Sequence, residues 1–190
     1  MIRRLAILVI VFPTLAMGWQ TVEPSKRVGP SKGDFSLQLP DGWLYDTSRH
    51  TIEASHDGPG LNHVSVAIPS HKEVFKNTKQ RSTPTSTPED LAEHYLAEVQ
   101  TGPNALRGLV VLTNEPAELV GRPAFRVHYR YRVPEASGGA VMESVAIGTA
   151  LSGGVLLATF DAPSLHYFGR WVGAFDVAAG SITLSPAPKD

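Results

Sequence analysis

The chain of 190 residues is 42% apolar and 18% charged, a composition that suits one globular domain with a single core. Lys and Arg number 17 against 18 Asp and Glu, so the net charge of -1 gives neither nucleic acid nor an anionic membrane surface a claim on the chain as a whole. No cysteine occurs, which excludes disulfides, thiol nucleophiles, thiolate metal sites and a lipidated cysteine.

Arg3 and Arg4 precede an apolar run from Leu5 to Phe12, and the small residues Ala16 and Gly18 follow, the pattern of a secretory signal peptide over residues 1–18. The alternative is an N-terminal membrane anchor, which Pro13 and the shortness of the run disfavour. Cleavage removes two arginines and leaves 15 basic against 18 acidic residues, a charge of -3. A periplasmic or secreted protein with no membrane span after cleavage is expected. Residues 19–32, with Pro24, Gly29 and Pro30, lack apolar periodicity and read as a flexible leader, followed by a single domain over 33–185 and a tail at 186–190.

Phe35, Leu37 and Leu39 alternate with polar residues, and Pro40-Asp41-Gly42 turns the chain so that Trp43 returns to the same core. Residues 51–56 and 61–69 form a hairpin across DGPGLN, with Val64, Val66 and Ile68 inward. The polar stretch from His71 to Pro88 predicts a long surface connection. Thr87 as N-cap, Pro88 in the first turn and the acids Glu89 and Asp90 start a helix over about 88–101 that stops at Gly102-Pro103. Leu91, Tyr95 and Val99 face the sheet, and Glu89, Glu93 and Glu98 form a solvated face. Short strands at 109–112 and 115–120 lead on. A second helix over about 164–179 carries the stripe Leu165, Phe168, Val172, Phe175 and Ala179, and Ile182 to Leu184 add a last strand.

Between Leu119 and Phe160 the chain reads as an antiparallel meander around which the rest is built. Phe125, Val127, Tyr129, Tyr131 and Val133 point one way, while Arg126, His128, Arg130 and Arg132 point the other. PEASGG (134–139) and Ser152-Gly153-Gly154 make its turns. Keeping the apolar face consistent sets Val127 against Ile147 and Tyr129 against Val145, with the basic row opposite Ser144, Ala146 and Gly148 under thin cover.

Five segments in order, DFSLQLPDGW (34–43), SHDGPGLNHVSV (55–66), TPEDLAEHYL (87–96), LVGRPAFRVHYRY (119–131) and DAPSLHYF (161–168), resemble small bacterial envelope proteins of unassigned function, often lipoproteins. The resemblance implies an α+β, PsbP-like α/β/α sandwich, built mainly of antiparallel sheet with two principal helices. The PsbP photosystem subunit and a Ran-binding transport factor use that fold as binding or assembly modules. Many relatives are lipoproteins, and without a cysteine their anchoring does not carry over.

Two surfaces are candidates for chemistry. The row Arg126, His128, Arg130 and Arg132 offers bidentate donors for an anionic or protein partner, against the plainer reading of a solvated sheet face. His56, His63 and Asp57 bracket the hairpin loop and offer two nitrogens and a carboxylate to a metal, against that of polar strand ends beside a turn. Trp171, Tyr167 and His166 lie off the second helix's stripe and read as secondary packing in preference to a carbohydrate platform. No nucleophile elbow, P-loop or dinucleotide fingerprint occurs, and no cofactor is implied. The expected function is a non-catalytic periplasmic binding or assembly module recognising an unknown protein or envelope component. The alternatives are a metal-dependent hydrolase using the His56/His63 hairpin and an accessory of a secretion or envelope-stress system.

Overall fold

A computed structural model describes residues 18–48, 50–134 and 138–185 of the chain. Among these residues the strands are β1 (Gln20–Thr21), β2 (Arg27–Val28), β3 (Phe35–Gln38), β4 (Leu44–Thr47), β5 (Thr51–Ser55), β6 (His63–Ala67), β7 (Arg107–Leu119), β8 (Arg122–Arg132), β9 (Val141–Ala150), β10 (Val155–Pro163) and β11 (Thr183–Leu184). The helices are α1 (Pro88–Val99) and α2 (Gly169–Gly180). Neither is long and apolar enough to cross a membrane. The expected signal segment, apart from Gly18, and the tail lie outside the described residues.

Eight strands pair antiparallel in the order β1-β4-β5-β6-β10-β9-β8-β7, and β11-β3-β2 form a smaller sheet. Period-two alternation builds β3, where Phe35 and Leu37 are buried and Ser36 and Gln38 are not. α1 starts where its cap predicts, with the Asp90 N–H donating to Thr87 Oγ1 at 3.2 Å. Its Leu91, Ala92 and Tyr95 pack on Phe125, Val127 and Tyr129 of β8 and Ala146 of β9. On the opposite face Phe168, Phe175 and Ala179 pack on Val145, Ile147, Ala158 and Phe160 together with β3 and Trp43. Phe160 lies 5.7 Å from the rings of both Phe168 and Phe175. The main sheet is thus covered by α1 on one face and by α2 with the small sheet on the other.

Several expectations are corrected. The segment expected to be a mobile leader is folded: Val22 and Val28 are buried, β1 pairs with β4, and β2 pairs with β3. Arg27 fastens it by donating to Ser36 O (2.9 Å), Ser181 O (2.7 Å) and Thr183 Oγ1 (2.9 Å). Two isolated apolar side chains suffice because other elements supply the remaining contacts. The connection after β6 is likewise tied down. Phe75 is buried under α1, His71 bridges Ser82 Oγ (2.8 Å) and Leu151 O (3.0 Å), and Glu98 accepts the N–H groups of Asn77 and Thr78 instead of facing only water.

The meander is present but slipped by one residue from the expected pairing. Val127 faces Ala146 and Tyr129 faces Ser144, so Arg126, His128 and Arg130 face Ile147, Val145 and Glu143. Such a slip exchanges the faces of the whole partner strand. Every residue of β9 from Ser144 to Ala150 is buried, so its pattern carries no face signal. Gly148 consequently lies under Phe125, where a Cβ would come within 2.7 Å of the ring.

The two short strands expected before the meander are one, β7, an exposed edge with register shifts between Arg107 and Val110 and between Val111 and Thr113. These bulges, with Glu115 and Pro116, blunt an edge that would otherwise offer Val110 and Val111 to other strands. The second helix starts later than expected, because β10 continues its pairing through Pro163 to Met142. Ser164 gives its hydroxyl to Glu143 Oε1 instead of capping a helix, and Ser164–Phe168 form an irregular turn with His166 at φ 78°. Leu165, expected on the buried stripe, is 87% exposed.

Candidate functional site

The basic row is already engaged. Arg126 pairs with Asp176 of α2 at 2.8 Å and lies 3.9 Å from Glu115, while His128 pairs with Glu143 at 2.9 Å and stacks on Phe168 at 4.9 Å. Arg130 Nε lies 3.8 Å from Glu143, and Arg132 donates to Gly139 O at 3.3 Å. Cover over this face is thicker than expected, since Phe168 and Asp176 lie on it. The register brings Glu143 directly opposite Arg130 and within reach of His128. A partner anion would compete with carboxylates for three of the four side chains.

The hairpin does not bring His56 and His63 together. Positions 54 and 64 face each other across β5 and β6, so His63 falls level with Ser55 and one step out of phase with His56. His56 stacks on Trp171 at 4.2 Å and meets Trp43 edge-on, on the α2 face, while His63 lines a cleft on the α1 face with Tyr95 and Tyr129. The metal reading therefore loses its ligand set, and no group of three or more His, Asp or Glu among the described residues could hold a metal ion. Asp57 instead accepts from Trp171 Nε1 at 2.6 Å and pairs with His56 Nδ1 at 2.8 Å. Burial works against its charge, but these hydrogen bonds outweigh it and hold the carboxyl below its ordinary value. Trp171 packs edge-on against Trp43 at 5.4 Å with the Arg170 guanidinium 4.9 Å over its ring, in keeping with a packing role.

What the structure does assemble is a polar row across the α1 face of the main sheet. Tyr129 of β8 faces Ser144 of β9, Ser144 faces Asp161 of β10, and Asp161 faces His63 of β6. Alternation along each strand turns these four side chains toward α1, which adds Tyr95. Tyr95 and Tyr129 hydroxyls bond at 2.9 Å, the Tyr131 hydroxyl donates to Asp161 Oδ1 at 3.3 Å, and Ser144 donates to the same oxygen. His63 Nε2 lies 2.5 Å from Glu53 Oε2. Above the row opens a cleft of about 550 Å³, rimmed by Gly60, Thr101 and Asn104 and walled in part by Val99, Leu106 and Met142.

Burial dominates the electrostatics of the tyrosines and of Asp161. It pushes the phenols of Tyr95, Tyr129 and Tyr131 above their usual range, so all three are neutral hydroxyls at physiological pH. It also raises Asp161, against the hydrogen bonds from Ser144 and Tyr131 and the charge of His63. His63 is raised chiefly by its hydrogen bond to Glu53, with desolvation opposing. Ser144 bonds a carboxylate directly with no imidazole between them, and His63 is held by Glu53, so the row has no base-and-nucleophile relay. It can bind and orient a group. Asp161 Oδ1 takes both protein donors, and no described residue donates to Oδ2.

Sequence reasoning placed the tyrosines in the core and passed over Asp161, Ser144 and the cleft. The available signal was an acid inside the apolar strand VLLATFDAP, where an unpaired charge is costly.

No protein-family model matches the chain, and no curated protein is recognisably similar to it. Solved structures share its fold. Cyanobacterial PsbP (CyanoP) from Synechocystis sp. PCC 6803 superposes with a TM-score of 0.57 at 16% identity, over 93% of this chain and 99% of that one. The Saccharomyces cerevisiae Ran-binding protein Mog1p gives 0.55 at 9% identity, over 84% and 94% of the two chains. A Pseudomonas aeruginosa protein of unknown function gives 0.52 at 14% identity, over 86% and 98%. At such identities the likeness is one of fold: the chain has the α+β, PsbP-like fold.

Proposed function

We propose that this protein is an exported, non-catalytic binding module that receives a group of its ligand or partner in the cleft between α1 and the sheet. The observation that carries the reading is Asp161, a half-buried residue whose carboxylate lies among tyrosines at the cleft with one oxygen turned to no donor among the described residues. Export is supported by Arg3, Arg4 and the apolar run that follows them. Protein recognition is supported at the level of fold, since Mog1p is a Ran-binding protein, and a periplasmic or envelope partner fits an exported chain.

Crosslinking in cells followed by purification tests the reading. The unchanged protein should retain a specific partner or ligand, and Thr101→Trp, which fills the rim, should lose it while keeping its unfolding temperature. Capture that is indifferent to Thr101→Trp, or turnover of a substrate by the purified protein, overturns it. Fractionation of the expressing cells checks export separately.

A further inference from the structure

The chemistry of the cleft narrows what it takes. The groups around Asp161 are Ser144 from β9, Tyr129 and Tyr131 from β8 and His63 from β6 with its partner Glu53 on β5, and α1 lines the same cleft with Tyr95 and with Glu98, whose carboxylate accepts from Asn77 and Thr78. His63 is taken up by Glu53, and no Lys or Arg is among the described residues lining the cleft. The remaining balance is negative, which disfavours an anion. A metal ion would find one carboxylate oxygen and too few further ligands. Tyrosine faces attract organic cations, and Val99, Leu106 and Met142 offer an alkyl arm an apolar wall.

We propose that the cleft binds a primary alkylammonium group, its N–H donors directed at Asp161 Oδ2 and its methylene chain lying along Tyr131, Leu106 and Met142. This rests on the cleft being the binding site. The shared chemistry is that of a lysine side chain of a partner and of a free alkylamine. An ammonium donating to Oδ2 supplies the hydrogen bond and counter-charge that the enclosed carboxylate lacks. Because it meets the ionised form, its affinity rises as pH carries Asp161 through its raised titration.

NMR titration of the full purified chain with n-pentylammonium, the blocked peptide acetyl-Gly-Lys-Gly-amide and n-pentanol tests this. Saturable shifts at cleft residues with pentylammonium, the peptide or both, and none with pentanol, are expected, and the arm that binds more tightly identifies the source. Asp161→Asn, which keeps an acceptor for Tyr131 and Ser144, should weaken ammonium binding about tenfold or more. In the unchanged protein, affinity should fall on acidification, a readout that needs no variant. Pentanol binding as well as pentylammonium, unchanged affinity in Asp161→Asn, or no binding by either ammonium overturns the ligand class. If ammonium fails while Thr101→Trp still abolishes capture, the ligand class is wrong and the cleft stands. If capture survives Thr101→Trp, the cleft reading itself is wrong.

Discussion

Replacing Glu98 tests how the connection after β6 is held against α1. Its carboxylate accepts the Asn77 N–H at 3.0 and 3.1 Å, the Thr78 N–H at 3.0 Å and the Thr78 hydroxyl at 3.2 Å. Asn77 is exposed and Thr78 half-buried, so screening reduces the two backbone bonds to about 0.5–1 kcal/mol each. An acid in the last turn of a helix opposes the helix dipole, and its removal returns about 0.3–0.5 kcal/mol. Glu98→Ala should therefore cost about 1 kcal/mol net, and Glu98→Gln, which keeps one acceptor, less than that. Urea midpoints give the total, and hydrogen exchange at the Asn77 and Thr78 amides locates it, since loss of these bonds opens that loop before the fold. Unchanged exchange at both amides in Glu98→Ala would refute the reasoning.

Asp161→Asn should change how stability varies with pH. Because burial raises the folded value of Asp161 above the unfolded one, it contributes a loss of stability as pH rises from the ordinary carboxylate range through the raised value. The variant lacks that decline, and denaturant midpoints across this range would show parallel curves if Asp161 were instead unperturbed. Gly148→Ala places a Cβ 2.7 Å from the Phe125 ring and 3.2 Å from Leu156 O, and the buried ring has little room to give. A loss of about 1–3 kcal/mol is expected in thermal or urea unfolding, and a neutral result would contradict the register of β8 on β9. Val120 and Gly121 turn β7 into β8 with φ of 50° and 71°, a conformation that suits Asn-Gly and strains a β-branched residue. Val120→Asn should stabilise the protein by about 0.5–1 kcal/mol after allowing for lost packing, and a lower urea midpoint would contradict this.

Local signals were legible. Thr87-Pro88 fixed the start of α1, and the alternation of Phe35, Leu37 and Leu39 fixed β3, because cap and pleat depend on neighbours along the chain. Non-local choices were hidden. β9 is buried on both faces from Ser144 onward, so nothing in its composition distinguishes one register from the next, and the slip carried the basic row onto Glu143. Val22 and Val28 are single apolar residues in a polar stretch, and their burial is decided by β4 and β3. The cleft was hidden for the same reason: Tyr95, Tyr129, Ser144, Asp161 and His63 come from five elements, and each alone has an ordinary structural explanation.

The measurement closest to the central claim is the titration of the Asp161 carboxyl itself, followed by carbon NMR with and without n-pentylammonium. A value raised above that of an ordinary aspartate in the free protein, falling when the ammonium binds, is expected. A titration that the ammonium leaves unmoved would contradict it.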